Sequence, residues 1–382
     1  MQFQPHQALI IKRLKTLSVL LVCCTIFVAC NQDKTLNETS EQDPNSDKLD
    51  TFESKIDVLT SSENENEDAQ DNNQTEFPKG VVADLKFSTI EDDIARQQEA
   101  NRNPPLFCLN KPASDYSAVE ACNRISNRLA SVSYERCAAA KLSQTGCLSV
   151  SQFPILMREF PPLDEVKPKG RVLVIGGTHG DELTSVSIMF RWIEKLNRFH
   201  SGRFHWHMVP MMNPDGVLKK EATRTNQNGV DLNRNLPSED WQALAHKYWE
   251  TKGSKNARKY PGKNAASEPE VQFLIDEINS FKPDAIIAVH APYGIVDFDS
   301  QVLRGAPKSL GKLHLNLLGT YPGSLGNYAG INRNIPVITL ELPHSWVMPS
   351  EEESSKIWED LVSWLNRSIG PELAKGESNS GY

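Results

Sequence analysis

RVLVIGGTHGDELTSVSIMFRWIEKLN, Arg171 to Asn197, sets an apolar run against a glycine-rich turn and then a helical pattern. RVLVI reads as a buried strand, and LTSVSIMFRWIEKLN as the helix that follows it. A glycine-rich turn between such elements is where α/β proteins usually hold a phosphate. This turn has no Lys-Ser/Thr, however, and carries His179 and Glu182 three residues apart, a spacing suited to a metal.

The pattern continues outward. HWHMVPMMNPDG is a strand ending in a turn, and SEPEVQFLIDEINSF is a helix. DAIIAVHAP and IPVITLELP are strands, and SSKIWEDLVSWLNRSI is a closing helix. This alternation predicts, over residues 153–370, an α/β fold with a mixed, largely parallel sheet and helices on both faces. Ser267 and Glu270 in SEPE have the spacing of a capping box, which predicts a helix start there.

Functional groups of open α/β sheets gather at the carboxyl ends of the strands. Three such ends carry His179 with Glu182, His290, and Glu341. Two imidazoles and a carboxylate make a catalytic zinc site with a position open for water, whose pKa the ion lowers to about 7. Glu341, beside Val337 and Thr339 on one strand face, is then the candidate general base. Singly, each element is weak: His290 alone reads as a core histidine and NPDG (Asn213 to Gly216) as a turn. His205 and His207 share a strand face and raise the idea of a second metal, but a half-buried strand is the favoured reading.

Taken in order, HGDE, NPDG, GVDLNRN (Gly229 to Asn235), SEPE, His290 and TLELP resemble the zinc carboxypeptidase family, and within it the murein peptide amidases. The resemblance spans about Phe153 to Asn366 and implies a carboxypeptidase-like fold. It implies one Zn²⁺ per chain, held by His179, Glu182 and His290, with Glu341 as general base. It implies that Arg224 polarises the scissile carbonyl and that Asn233 and Arg234 grip a terminal carboxylate, for which a planar guanidinium is suited. The family's mobile tyrosine has two candidates, Tyr321 and Tyr328, of which Tyr321 is preferred. The implied activity is hydrolysis of an amide next to a residue with a free carboxylate, with γ-D-glutamyl-diaminopimelate murein peptides as the substrate. Two other readings compete: an acyl-amino-acid deacylase of the desuccinylase or aspartoacylase type, and a non-enzymatic lipoprotein that binds peptide or cell wall.

The N-terminal third carries no such chemistry. Lys12, Arg13 and Lys15 precede an apolar run from Leu17 to Ala29, which is short for a membrane span and fits a secretory signal over residues 1–29. Phe27-Val28-Ala29-Cys30 resembles a bacterial lipoprotein signal, with Cys30 lipidated, which implies an envelope enzyme anchored to a membrane and facing the periplasm. An uncleaved anchor, or a cut elsewhere, is the competing reading. Residues 30–78, rich in Asn, Asp, Glu, Gln, Ser and Thr, are too polar to bury a core and read as a disordered tether. The net charge of −8 gives no reason to expect a nucleic-acid partner. Residues 81–150 read as a small helical segment, with Val119, Cys122, Ile125, Leu129 and Val132 on one apolar face. In an oxidising compartment Cys108, Cys122, Cys137 and Cys147 form two disulfides in one of three pairings. The sequence-local pairs Cys108–Cys122 and Cys137–Cys147 are favoured, and the lack of any Cys-x-x-Cys argues against zinc there.

Overall fold

Val172 and Val174 point to one face of strand β3 (Gly170–Ile175), and Leu173 and Ile175 to the other. All four are fully buried, so both faces of β3 are covered, and the run needs no polar alternation. The computed structural model describes residues 118–302 and 305–369, all within one compact unit, Ala83–Tyr382. The signal, the tether, Cys30 and Cys108 lie outside the described residues.

Around β3 lies a nine-stranded sheet of order β1-β2-β4-β3-β5-β9-β6-β8-β7. The remaining strands are β1 (Ser143–Leu148), β2 (Pro154–Phe160), β4 (Phe204–Val209), β5 (Ala285–His290), β6 (Ile295–Asp299), β7 (Ser309–Leu310), β8 (Leu313–Leu315) and β9 (Val337–Glu341). The central strands β4, β3, β5 and β9 run parallel. Flanking pairs β1/β2, β2/β4, β9/β6 and β7/β8 are antiparallel, while β6/β8 is parallel. The chain leaves β3 for β4 on one side and returns to β5 on the other, which opens a crevice at the carboxyl ends of β3 and β5.

Helices cover both faces. On one, α3 (Leu183–Phe199) and the closing helix α6 (Glu351–Ser368) pack on Val172, Val174, Trp206 and Ile287. Trp358 bridges them, its ring 5.4 Å from Trp192 and 5.2 Å from Trp206. On the other face α5 (Pro269–Phe281) covers Leu173, Ile175 and Ile286. A further helix, α4 (Trp241–Thr251), which the apolar spacing did not single out, precedes α5.

The segment before residue 150 departs from its expected form. Helix α1 (Ala118–Arg128) and α2 (Tyr134–Ala139) pack their apolar residues into the core shared with α3, and Ser143–Leu148 is a sheet strand. The apolar stripe is broken at its start, where Val119 is exposed, and α1 stops before Leu129 and Val132. Neither favoured disulfide pair forms: Cys122 is bonded to Cys137, with Cα atoms 5.5 Å apart. The two helices fold back on each other and bring these buried thiols together, whereas Cys147, itself disulfide-bonded, sits on β1.

SEPE is not a capping box. Glu268 occupies the cap position of α5 without a side-chain cap bond, and both glutamates turn inward. Glu268 Oε2 accepts from Asn226 Nδ2 (2.7 Å) and Asn228 Nδ2 (2.9 Å). Glu270 accepts from the Val150 N–H and from Asn226 Nδ2, each at 3.1 Å. Asp215 of NPDG accepts from the Ser149 hydroxyl (2.6 Å) and the Ser151 N–H (3.0 Å). One buried polar network therefore ties the 149–151 turn, NPDG, the 226–228 loop and SEPE together, and it fixes the loops beneath the crevice. A capping box does form at the other end of the domain, where Ser350 and Glu353 start α6.

Glu270 is fully buried, and burial pushes its carboxyl up to about 7 despite these donors. In the unfolded chain it titrates near about 4.3. The folded protein thus holds this proton to higher pH, and the group subtracts stability as the pH rises from about 4.3 towards about 7. Glu270→Gln removes the titration. Relative to the parent, it is expected to gain on the order of 3 kcal/mol between about pH 4 and about pH 8, read by urea unfolding. A difference that stays flat across that range would refute this account.

Candidate active site

The turn after β3 is held from both sides. The Gly176 N–H donates to Val209 O at the end of β4, and the Met212 and Asn213 N–H groups donate back to Gly176 and Gly177. Gly180 lies so close to the NPDG turn that a Cβ there would sit 2.2 Å from the Gly216 carbonyl carbon, well inside contact distance. His179 and Glu182 are thereby packed against NPDG, with Glu182 at the start of α3.

Three donors converge at the crevice. His179 Nδ1 lies 2.8 Å from Glu182 Oε1, His290 Nδ1 lies 3.0 Å from Glu182 Oε2, and the two Nδ1 atoms are 3.1 Å apart. All three residues are buried, and their ligand atoms lie within 4.8 Å of one another. His179 Nε2 is 3.2 Å from Asp231 Oδ1, a fully buried carboxylate. A proton on Nε2 satisfies that carboxylate and leaves Nδ1 with a bare lone pair facing Glu182. Lone pair against carboxylate is repulsive unless a cation lies between them, so the donor set fits a metal ion and zinc in particular. Burial alone would raise the Glu182 carboxyl, but the two histidines outweigh it and hold it well below the usual range. The Ala291 N–H also donates to Glu182 Oε2 (3.2 Å), tying the end of β5 to the cluster.

Asp231 is the site residue that sequence analysis left without a role, although it stands inside the quoted GVDLNRN. Its second oxygen accepts from Arg224 Nε at 2.9 Å, so one carboxylate orients both a metal-binding imidazole and a guanidinium. Arg224 Nη1 lies 3.7 Å from Glu182 Oε1, which places its charge beside the triad. The Asn233 N–H donates to Asp231 Oδ1 (3.0 Å), and Asn233 Oδ1 accepts from the Leu325 N–H (2.8 Å). Arg234 donates from Nη1 to Asn233 O (2.7 Å), and its guanidinium lies 4.3 Å from the Tyr321 ring centre. Gly323 supports it from behind: a Cβ there would lie 2.0 Å from Arg234 O. Of the two tyrosines considered, Tyr321 therefore sits with the arginine. Tyr328 is buried in the core on the α5 face, and burial pushes its phenol up to about 12.

Glu341 ends β9 directly beside His290 on β5. It is buried, its Oε2 has no hydrogen-bond partner, and the Tyr293 backbone donates to its carboxyl. Burial first, and the Glu182 charge second, push it up to about 8. A cation on the triad offsets the Glu182 charge and favours the ionised form. The residues named from sequence for metal, base, oxyanion and carboxylate roles thus come together at one end of the sheet. His205 and His207 lie elsewhere, within β4.

Residues 139–296 match the zinc carboxypeptidase family. Murein peptide amidase A of Vibrio campbellii is 31% identical over 186 residues, which is 47% of this chain and 72% of that protein. Its counterpart in Escherichia coli K12 is 32% identical over 190 residues, covering 48% of this chain and 74% of that protein. The crystal structure of murein-tripeptide amidase MpaA from Escherichia coli O157 aligns at 26% identity with a TM-score of 0.42, covering 58% of this chain and 91% of that one. With its His-Glu-His triad and these relatives, the chain belongs to the zinc carboxypeptidase family and is a metallopeptidase.

Proposed function

We propose that this chain hydrolyses an amide bond adjacent to a residue with a free carboxylate, in murein peptides carrying a γ-D-glutamyl-diaminopimelate bond. The observation that carries the reaction type is the unpaired, buried Oε2 of Glu341 beside the His179–Glu182–His290 cluster. The substrate class is supported by the murein peptide amidases that the chain resembles.

His179, Glu182 and His290 would hold one zinc ion, which would supply Lewis-acid polarisation of the carbonyl and a water acidic enough to act as nucleophile near neutral pH. Glu341 takes a proton on Oε2 from the attacking water and delivers it to the leaving nitrogen as the C–N bond breaks. Arg224, held by Asp231, presents its guanidinium to the oxygen on which negative charge develops. Removing a donor of this kind costs roughly 3–4 kcal/mol in the transition state. Arg234, backed by Tyr321, pairs with the free carboxylate of the leaving residue in the planar two-point geometry that guanidinium and carboxylate share. Asn233 is fixed by its bonds to Asp231 and Leu325 and adds an amide donor beside it.

The place of action is part of the same proposal. With residues 1–29 as signal and Cys30 as lipid attachment point, the enzyme works at the periplasmic side of the envelope, where murein lies. It rests on the sequence of residues 12–30 alone.

Glu341→Gln keeps the carbonyl acceptor but not the base. It is expected to lower kcat on a defined murein tripeptide by about 10²–10⁴-fold while zinc content at the triad is unchanged. Full activity in this variant would remove Glu341 from the proton-transfer role. Arg234→Ala is expected to raise KM by more than about tenfold for substrates with a free carboxylate, with little change for the carboxamide forms. An equal loss on both would argue against docking at Arg234. Run with and without a chelator against a panel of acyl-amino acids, the same assay separates peptide hydrolysis from deacylation.

A further inference from the structure

Strand β4 carries two histidines away from the active site. His205 and His207 project from the same face of β4, with His207 Cα-paired to Glu159 on β2 and to Leu173 in the middle of β3. His205 Nε2 lies 2.8 Å from Glu159 Oε1, and His207 Nε2 lies 3.6 Å from that same oxygen. The three ligand atoms fall within 4.8 Å of one another. Donors bound to one tetrahedral zinc at about 2.0–2.2 Å stand roughly 3.3 Å apart, between the two distances seen here. Glu159 is half exposed, and the two imidazoles are mostly buried, so its side chain can adjust while they stay fixed.

The rings are held in place by packing. His207 stacks on Phe281 with centroids 3.6 Å apart and planes within 11°, and His205 meets the edge of the same ring at 4.9 Å. Glu277 of α5 hydrogen-bonds His207 Nδ1. With the proton on Nδ1, His207 turns a bare Nε2 lone pair toward Glu159, and that Nε2 is buried with no hydrogen-bond partner. This repeats the logic of the catalytic triad, where Asp231 holds the far nitrogen of His179 and leaves the near one free for a cation.

We propose that Glu159, His205 and His207 form a second, non-catalytic site for a divalent transition-metal ion of the zinc type, oriented by Glu277. Imidazole and carboxylate donors suit that class, and the fourth position opens to water. Its three ligands come from two adjacent strands, and the fourth residue from the helix above them. An ion there fastens β2 and β4 to α5, on the outer half of the sheet, without contributing a group to hydrolysis.

Zinc binding to the full chain, stripped with chelator and titrated by calorimetry with metal analysis, decides the question. The parent protein is expected to take up two equivalents, and His179→Ala to keep one. In the His179→Ala background, adding His207→Ala abolishes the remaining equivalent, and adding Glu277→Gln weakens it about 10–100-fold. Glu159→Gln, a change at a half-exposed position that does not endanger folding, weakens the second equivalent while murein-tripeptide hydrolysis stays at the parental rate. Saturation of the parent at a single equivalent would overturn the proposal. So would a second equivalent that survives both Glu159→Gln and His207→Ala, or one that binds only at millimolar zinc.

Discussion

Asp231 is the point on which the active site turns. It is fully buried, and its two oxygens serve His179 Nε2, Arg224 Nε and the Asn233 N–H. A buried carboxylate is tolerable only when its lone pairs are used and its charge is answered. Burial works to raise its pKa, yet Arg224 and His179 hold it far below the ordinary range. The loop from Arg224 to Asn233 cannot withdraw without leaving that charge unpaired, so His179, Arg224 and Asn233 are placed by one group.

The sheet supplies the other half of the placement. His290 and Glu341 are neighbours across the β5/β9 ladder, and the spacing between metal ligand and base is therefore a property of parallel strand pairing. β3 and β5 diverge in their connections, and the crevice between them receives the turn with His179 and Glu182. Hydrogen bonds from Met212 and Asn213 hold that turn. None of these restraints depends on substrate, so the constellation is assembled before anything binds.

What could be read from the sequence was whatever is local or periodic. β3 and β5 are apolar runs, β9 is one interrupted only by Thr339, and their ends name the triad and its base. The misreadings all come from contacts between distant residues. Ser267 and Glu270 have capping-box spacing, but Asn226, more than forty residues away, draws Glu270 inward. The favoured cysteine pairs were the nearest in sequence, while the hairpin of α1 and α2 joins Cys122 to Cys137. Asp231 looks like one polar residue in a polar loop until His179 is placed beside it. The HWH pair is a half-buried strand, as read, and only the fold brings Glu159 of β2 and Glu277 of α5 to it.

The motifs that identify the family divide into two kinds. HGDE, His290 and TLELP, with Arg224 and the DLNR string, converge on the crevice. NPDG, Asn226 and SEPE touch no reacting atom; through Asp215, Glu268 and Glu270 they bind one another and the 149–151 turn. On the Arg234 and Tyr321 side of the crevice, a guanidinium faces an aromatic ring. In the proposed role, such a seat would accept a carboxylate whatever residue carries it. Under the proposed function, specificity for one peptide over another would come from contacts made beyond the carboxylate.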